Sequence, residues 1–264
     1  MEDRNAWPLI IGHRGASAFA PENTLAAFRL AIDVGADGIE FDVRLARDGV
    51  PVVVHDATLA RTGRIRAAVG DLTSTELAGI DVGTWFKGPN GVNYSSERIP
   101  TLSKTLDILR DFPGTLFIEL KCDGEDTEPL TAAVCEVIKN SPLASRIILK
   151  SFSLSVIQHT RARAPLIRTA ALFAPKIRTI LRKERQLINI AKEVNADELS
   201  IHYSLATNNL IELARANALP VNIWTVNNLT WLKRSLRLGI RSIITNDPAR
   251  FISRRNEMPA FKTS

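Results

Sequence analysis

Four short strings in this chain carry residue types that can move protons, grip an anion or hold a cation. They are His13-Arg14-Gly15, Glu40-Phe41-Asp42, His55-Asp56 and Glu119-Leu120-Lys121. Imidazoles titrate near neutral pH and can pass protons in either direction. A guanidinium can take two phosphate oxygens at once. Three carboxylates, Glu40, Asp42 and Glu119, would make a hard, oxygen-rich site suited to Mg²⁺ or Ca²⁺. Mn²⁺ fits the same donors, and His55 nearby leaves Zn²⁺ open. Together these types suit phosphodiester cleavage: one histidine activates the nucleophile and the other protonates the departing alkoxide.

Spacing decides whether the groups can meet. Arg47-Asp48-Gly49 separates two runs rich in β-branched residues, Gly38–Leu45 and Pro51–His55. Asp-Gly between such runs signals a two-residue hairpin loop. With Asp48 and Gly49 as that loop, Arg47 pairs with Val50, and Asp42 comes to face His55. Cross-strand partners project to one side of a sheet, and alternation adds Glu40 to that side. Ile39, Phe41 and Val43 then form the opposite, apolar face. In a parallel barrel the outward face is the apolar one because helices cover it. Glu40 and Asp42 are therefore expected to point inward, where a cation would offset the cost of burying them.

Other polar residues weigh less. Trp224, in the run VNIWTV, either packs on a substrate's carbon chain or fills the core. Lys150 and Ser151 end the run IILKSF, where one charge is weak evidence for a site. Asn246 and Asp247 read as the cap of a last helix that begins near Pro248. His159 falls in a helical pattern and reads as ordinary, and His202 ends a strand without a clear partner. Cys122 and Cys135 show no metal spacing, and a chain of this size needs no disulfide framework.

The elements that must position these residues alternate. Strands are expected at Pro8–Gly12, Gly38–Leu45, Leu116–Lys121, Ile147–Phe152, Ile167–Phe173, Glu198–His202, Val221–Val226 and Ser242–Thr245, with Pro51–His55 as the hairpin return. Helical patterns fall at Thr24–Val34, Leu102–Leu109, Pro129–Lys139, Leu154–Ala162, Ile177–Val194, Asn208–Ala216 and Leu229–Leu238. Asn23 is the expected N-cap of the first and Gly35 its stop. Eight strand–helix units in 264 residues predict one α/β domain over residues 1–264, a (β/α)8 TIM barrel, rather than an open doubly wound sheet. Residues 58–100, rich in Gly, Thr, Asn and Ser, are expected to be an insertion at the C-terminal face.

Composition narrows the class. Hydrophobic residues at 45% and charged residues at 23% are ordinary for a globular protein. A net charge of +6 favours anionic partners without choosing among them. The basic residues are scattered and no nucleic-acid-binding module is present, so a nucleic acid is not expected as partner. Lys176–Lys192 is basic and amphipathic; it reads as an outer barrel helix, with weak contact to a membrane surface as the alternative. No run approaches the roughly 20 apolar residues of a spanning helix, and the N-terminus has no signal peptide, so a cytoplasmic location is expected. Met1–Asn5 and the tail from Arg254 are expected to be loosely held.

The strings GHRGASAFAPENTLAAF, GADGIEFDVRLARDGVPVVVHD and FIELK resemble the glycerophosphodiester phosphodiesterases, as do the later LKSF, NIWTV and TND. The resemblance spans the chain and implies a TIM barrel of the phosphatidylinositol-phosphodiesterase type. It implies that His13 and His55 are acid and base, and that Glu40, Asp42 and Glu119 hold a divalent metal. It further implies that Arg14 and Lys121 contact phosphate, that Trp224 stacks near glycerol, and that Glu22 and Asn23 brace the loop after His13. The expected reaction is hydrolysis of a glycerophosphodiester, a small-molecule substrate, to glycerol 3-phosphate and an alcohol. The rival activity is that of a lysophospholipase D, for which Trp85 and Phe86 would serve as lipid contacts.

Overall fold

The computed structural model describes residues 7–89, 91–122, 124–175 and 184–258. Its elements in chain order are β1 (Leu9–His13), α1 (Leu25–Asp33), β2 (Gly38–Leu45), β3 (Pro51–Val53), α2 (Ser74–Leu77), α3 (Leu102–Ile108), β4 (Thr115–Leu120), α4 (Thr127–Lys139), β5 (Ile147–Ser151), α5 (Leu154–Arg163), β6 (Arg168–Phe173), α6 (Glu184–Glu193), β7 (Glu198–His202), α7 (Asn208–Ala216), β8 (Val221–Trp224), α8 (Thr230–Leu238), β9 (Ser242–Thr245) and α9 (Pro248–Asn256). Eight strands, β1, β2 and β4 to β9, pair in parallel, and β1 bonds both β2 and β9, so the sheet closes on itself. This is the (β/α)8 barrel expected from the alternation.

Alternation along the strands sorts the side chains. Ile11, Phe117, Ile148, Ala170 and Ile244 form the apolar plug inside the barrel. Their neighbours in sequence, such as Ile10, Ile118, Ile147, Leu149, Ala171 and Ile243, belong to the much larger core between barrel and helices. Facing outward into packed helices is why these strands read as β-branched runs. The polar residues two positions beyond the plug, His13, Glu119, Lys150 and Asn246, therefore point inward at the C-terminal mouth.

The hairpin differs from expectation by one residue. Pairing runs Val43 to Val53, Arg44 to Val52 and Leu45 to Pro51, and Ala46 N–H donates to the Val50 carbonyl at 3.0 Å. The loop is three residues long, with Gly49 at φ +76°, a geometry that glycine adopts without steric cost. Asp42 consequently lies opposite Val54, whose N–H it accepts at 3.0 Å. His55 falls in a bend past the end of β3.

Two further expectations change. Asn23 does not cap α1; Thr24 does, its side chain accepting from Ala27 N–H. The chain stays ordered past Arg254, since α9 continues to Asn256 and Arg255 pairs with Asp37 at 2.5 Å. Residues 176–183 of the basic stretch lie outside the described residues, along with Met1–Asn5, while residues 184–192 belong to α6. Neither cysteine is in a disulfide. Among the described residues no helix is long and apolar enough to cross a membrane.

Residues of the 58–100 stretch share a small second core with the hairpin. Leu59, Val69, Leu77, Val82 and Ile99 pack against Ala46, Val52 and Val54. Trp85, Phe86 and Tyr94 stack edge to face in sequence, with centroids 5.8 and 5.9 Å apart. Trp85 and Phe86, the expected lipid contacts, are thus engaged with their neighbours. Tyr94 Oη donates to the Phe19 carbonyl at 2.9 Å, and Glu97 accepts from Ala26 N–H at 3.2 Å. The stretch therefore grips the loop that follows β1.

Candidate active site

Glu40, Asp42 and Glu119 lie side by side on β2 and β4, where Asp42 and Glu119 are register partners. Each offers one oxygen, and the three oxygens fall within 4.8 Å of one another. All three residues are buried. Such a set costs heavily unless cations sit nearby, and the chain supplies three. Lys150 Nζ is 2.8 Å from Glu40 Oε1 and 3.7 Å from Glu119 Oε2. Lys121 Nζ is 3.2 Å from Asp42 Oδ1 and also pairs with Glu119. Arg14 Nε is 3.1 Å from Asp42 Oδ2.

This surround sets the ionisation. Burial, the largest single influence, would raise the Glu40 and Asp42 carboxyls; Lys150 beside Glu40, and Lys121, Arg14 and Asn23 beside Asp42, act with their other neighbours to hold both below the usual carboxylate range. Burial wins at Glu119, whose carboxyl is pushed up despite Lys150. Burial disfavours the Lys121 ammonium, yet Asp42 and Glu119 raise its pKa.

The donor set fits a hard divalent cation on two grounds. The three ligand oxygens converge, and two of the carboxylates are compensated by ammonium groups, Lys150 at 2.8 Å from Glu40 Oε1 and Lys121 at 3.2 Å from Asp42 Oδ1, positive charge where a cation would also sit. Oxygen ligands without a thiolate suit a hard ion.

The loop after β1 folds over this cluster through two residues in left-handed backbone, Arg14 at φ +55° and Asn23 at φ +58°. Such conformations are costly for non-glycine residues and persist where surrounding contacts fix them. Arg14 N–H donates to Glu40 Oε2 at 3.1 Å and Arg14 Nη1 to Glu22 at 2.7 Å. Asn23 bonds Asp42 twice, donating to Oδ2 at 2.9 Å and accepting from the backbone N–H at 3.2 Å. At Gly15, with φ +83°, a Cβ would lie 2.6 Å from the backbone of Ala27 in α1, so no side chain is accommodated there.

The two imidazoles have different supports. His13 Nδ1 bonds Asn246 Oδ1 at 2.7 Å, and its Nε2 lies 3.9 Å from Glu40 Oε2. Burial lowers the His13 pKa against the opposing pull of Glu40, so the neutral ring is favoured. His55 Nδ1 bonds Asp56 Oδ1 at 2.6 Å, and its ring lies close enough to Asp42 to interact with it electrostatically. His55 thus comes near the acidic cluster from a bend, not from the strand position the spacing predicted.

Trp224 closes another side of the mouth. It packs against the apolar plug and stands edge-on to Phe152 and His202, with centroids 5.6 and 5.5 Å away. Its indole nitrogen is buried without a partner. Phe152 is 48% exposed, and Lys121 Nζ lies 5.9 Å over its ring.

Residues that sequence reasoning weighted too lightly are now evident. Lys150 sits on two of the three carboxylates. Asn246 holds His13, leaving only Asp247 to cap α9, where it accepts from Arg250 N–H. Arg61 reaches Glu22 and Asp56 from the 58–100 stretch. Lys150 and Asn246 follow the inward phase of their strands, which was readable; nothing in the spacing pointed to Arg61.

Comparison with known proteins agrees with the residues. Residues 13–250 match the model of the glycerophosphoryl diester phosphodiesterase family. A glycerophosphodiester phosphodiesterase of Caldanaerobacter subterraneus is 31% identical over 245 residues, covering 93% of this chain and 96% of the relative. One from Bacillus altitudinis is 30% identical over 251 residues, covering 94% and 98%. Among solved structures, an Oleispira antarctica phosphodiesterase in complex with the product sn-glycerol-3-phosphate has a TM-score of 0.84 at 28% identity, covering 95% of this chain and 98% of its own.

Proposed function

We propose a reaction and a mechanism on the premise that this chain belongs to the glycerophosphoryl diester phosphodiesterase family, and is thereby an enzyme of the phosphoric diester hydrolase class. The reaction is hydrolysis of a glycerophosphodiester to sn-glycerol 3-phosphate and an alcohol. The observation that carries it is the convergence of Glu40, Asp42 and Glu119 within 4.8 Å at the mouth of the barrel, beside His13 and His55.

Glu40, Asp42 and Glu119 would hold the divalent cation, Mg²⁺ or Ca²⁺. When bound, it supplies Lewis-acid stabilisation of charge on the phosphoryl oxygens. Arg14 and Lys121 line the same cluster and stabilise that charge with fixed donors, a contribution that needs no reorganisation during the reaction. Trp224 offers its ring to the carbon skeleton of the substrate.

The supports of the two histidines favour one division of roles. His13 donates its Nδ1 proton to Asn246, and burial favours the neutral ring, so Nε2 carries a lone pair: His13 is the base. His55 Nδ1 is held by a carboxylate, Asp56, where His13 has a neutral amide, so His55 is the acid. His13 takes the proton of the attacking hydroxyl, either water or the glycerol 2-hydroxyl; the latter gives a cyclic phosphate, which water then opens to glycerol 3-phosphate with the two histidines exchanging roles. As the phosphorus–oxygen bond to the alcohol breaks, His55 gives its proton to the leaving oxygen. Within this reading residues 1–264 form one domain and 58–100 an insertion in it.

Two coupled assays, one for glycerol 3-phosphate and one for the released choline or ethanolamine, test the reading. Glycerophosphocholine, glycerophosphoethanolamine and lysophosphatidylcholine would be compared with Mg²⁺, Ca²⁺ and Mn²⁺. Release from the two glycerophosphodiesters is expected. Turnover of lysophosphatidylcholine alone would move the assignment to a lysophospholipase D.

A further inference from the structure

The guanidinium of Arg61 joins two carboxylates that stand behind two different parts of the mouth. Its Nη1 and Nη2 donate to the two oxygens of Glu22, each at 2.7 Å. Its Nε donates to Asp56 Oδ2 at 2.7 Å. Glu22 in turn accepts from Arg14 at 2.7 Å, and the other oxygen of Asp56 holds His55 Nδ1 at 2.6 Å. An unbroken row of charged contacts therefore runs from His55 through Asp56, Arg61 and Glu22 to Arg14, and on to Asp42. The face of Trp85 backs the guanidinium, 5.6 Å from its centre.

From this row we infer that Arg61 is a positioning residue: it fixes the spacing between His55 and Arg14 by clamping Asp56 and Glu22 in one planar fork. The inference rests on the reading of His55 and Arg14 given above. A forked donor suits the task. It sets the plane and separation of both carboxylates at once, which a point charge such as an ammonium does not. Without it, Asp56 and Glu22 would repel each other, and each would carry its partner away. Displacement of a catalytic group by about 1 Å costs on the order of 100-fold in rate. The 58–100 stretch thereby contributes to turnover without touching substrate.

A purely structural salt bridge predicts a different pattern. Arg61 is 42% exposed, and such pairs add little to folding stability. The test uses full-length protein, saturating metal and a glycerophosphodiester. Arg61→Met should lower kcat about 10- to 100-fold, shift Tm by less than about 3 °C, and leave the cation's dissociation constant within twofold. Arg61→Lys, which keeps charge but not the fork, should recover less than a third of the loss. In an Asp56→Asn background, Arg61→Met should cost several-fold less than in the wild type, because the route to His55 is already cut.

A kcat within twofold of the wild type in Arg61→Met would overturn the inference. So would full recovery in Arg61→Lys, or equal losses in the two backgrounds. His55→Ala separates this from the underlying mechanism. If His55→Ala is inactive while Arg61→Met is normal, only the role of Arg61 falls. If His55→Ala itself turns over normally, the acid assignment falls first.

Discussion

The two ends of this barrel both bury carboxylate, and they do so in opposite ways. At the strand starts, Glu198 is 2% exposed. Arg168 and Arg241 pair with it at 3.2 and 3.3 Å, and Asn222 donates to it at 2.8 Å, itself accepting from Ser242 at 2.6 Å. One acid is surrounded by donors. At the strand ends, three acids converge and three cations hold them together. Burial pushes the Glu198 carboxyl up, as it does Glu119 at the mouth, while Glu40 and Asp42 are held down by cations beside them. Buried charge alone thus does not mark a site. Convergence of like charges at the mouth of the barrel marks one, because three carboxylates held together at that cost suit a cation bound among them.

The sharpest break of this comparison is in turnover. His13→Ala and His55→Ala should each lower kcat by about 10²- to 10⁴-fold with Tm nearly unchanged. Glu198→Gln, equally buried, should leave kcat within about twofold of the wild type. Steady-state kinetics of the three variants in parallel would decide it; a large kcat loss in Glu198→Gln would erase the distinction between the ends.

The next effect concerns Lys150. It is fully buried, and removing it leaves three carboxylates with two cations. Lys150→Met should destabilise the chelated protein by about 3–5 kcal/mol, the usual cost of breaking a buried pair. Added Mg²⁺ or Ca²⁺ should then raise Tm more in the variant than in the wild type, since the ion replaces the lost charge. Thermal melts with and without metal check both signs.

The smallest effect is in pH dependence. Glu198 has a folded pKa raised above its ordinary 4.5. Its contribution to stability is full below that value and is lost as pH rises through the folded pKa. Glu40 has the reverse sign: its contribution is full above 4.5 and lost as pH falls through the lowered folded pKa. Unfolding free energies of the wild type and Glu198→Gln, measured upward from pH 4, should therefore diverge in favour of the variant. Parallel curves would contradict the raised pKa.

How much of this was legible in the sequence depends on what fixed each feature. The barrel and the inward phase of Glu40, Asp42 and Glu119 followed from alternation, because helices make the outer face of each strand apolar. His55 was placed in the right neighbourhood by a wrong route. The turn at Gly49 adds a residue to the loop, and a one-residue slip reverses every facing. Asn23 looked like a cap because asparagine often is one, but its bond to Asp42 is a tertiary contact that no local pattern encodes. Lys150 was undervalued as a single charge; its meaning lies in the two acids opposite. Arg61 was invisible because the 58–100 stretch has no periodicity to phase it.

The most direct test of the whole account is the initial rate of sn-glycerol 3-phosphate release from glycerophosphocholine by EDTA-treated protein, before and after Mg²⁺ or Ca²⁺ is restored. The account predicts a rate near background in EDTA and recovery on adding the ion. Full turnover in EDTA would contradict the role given to Glu40, Asp42 and Glu119.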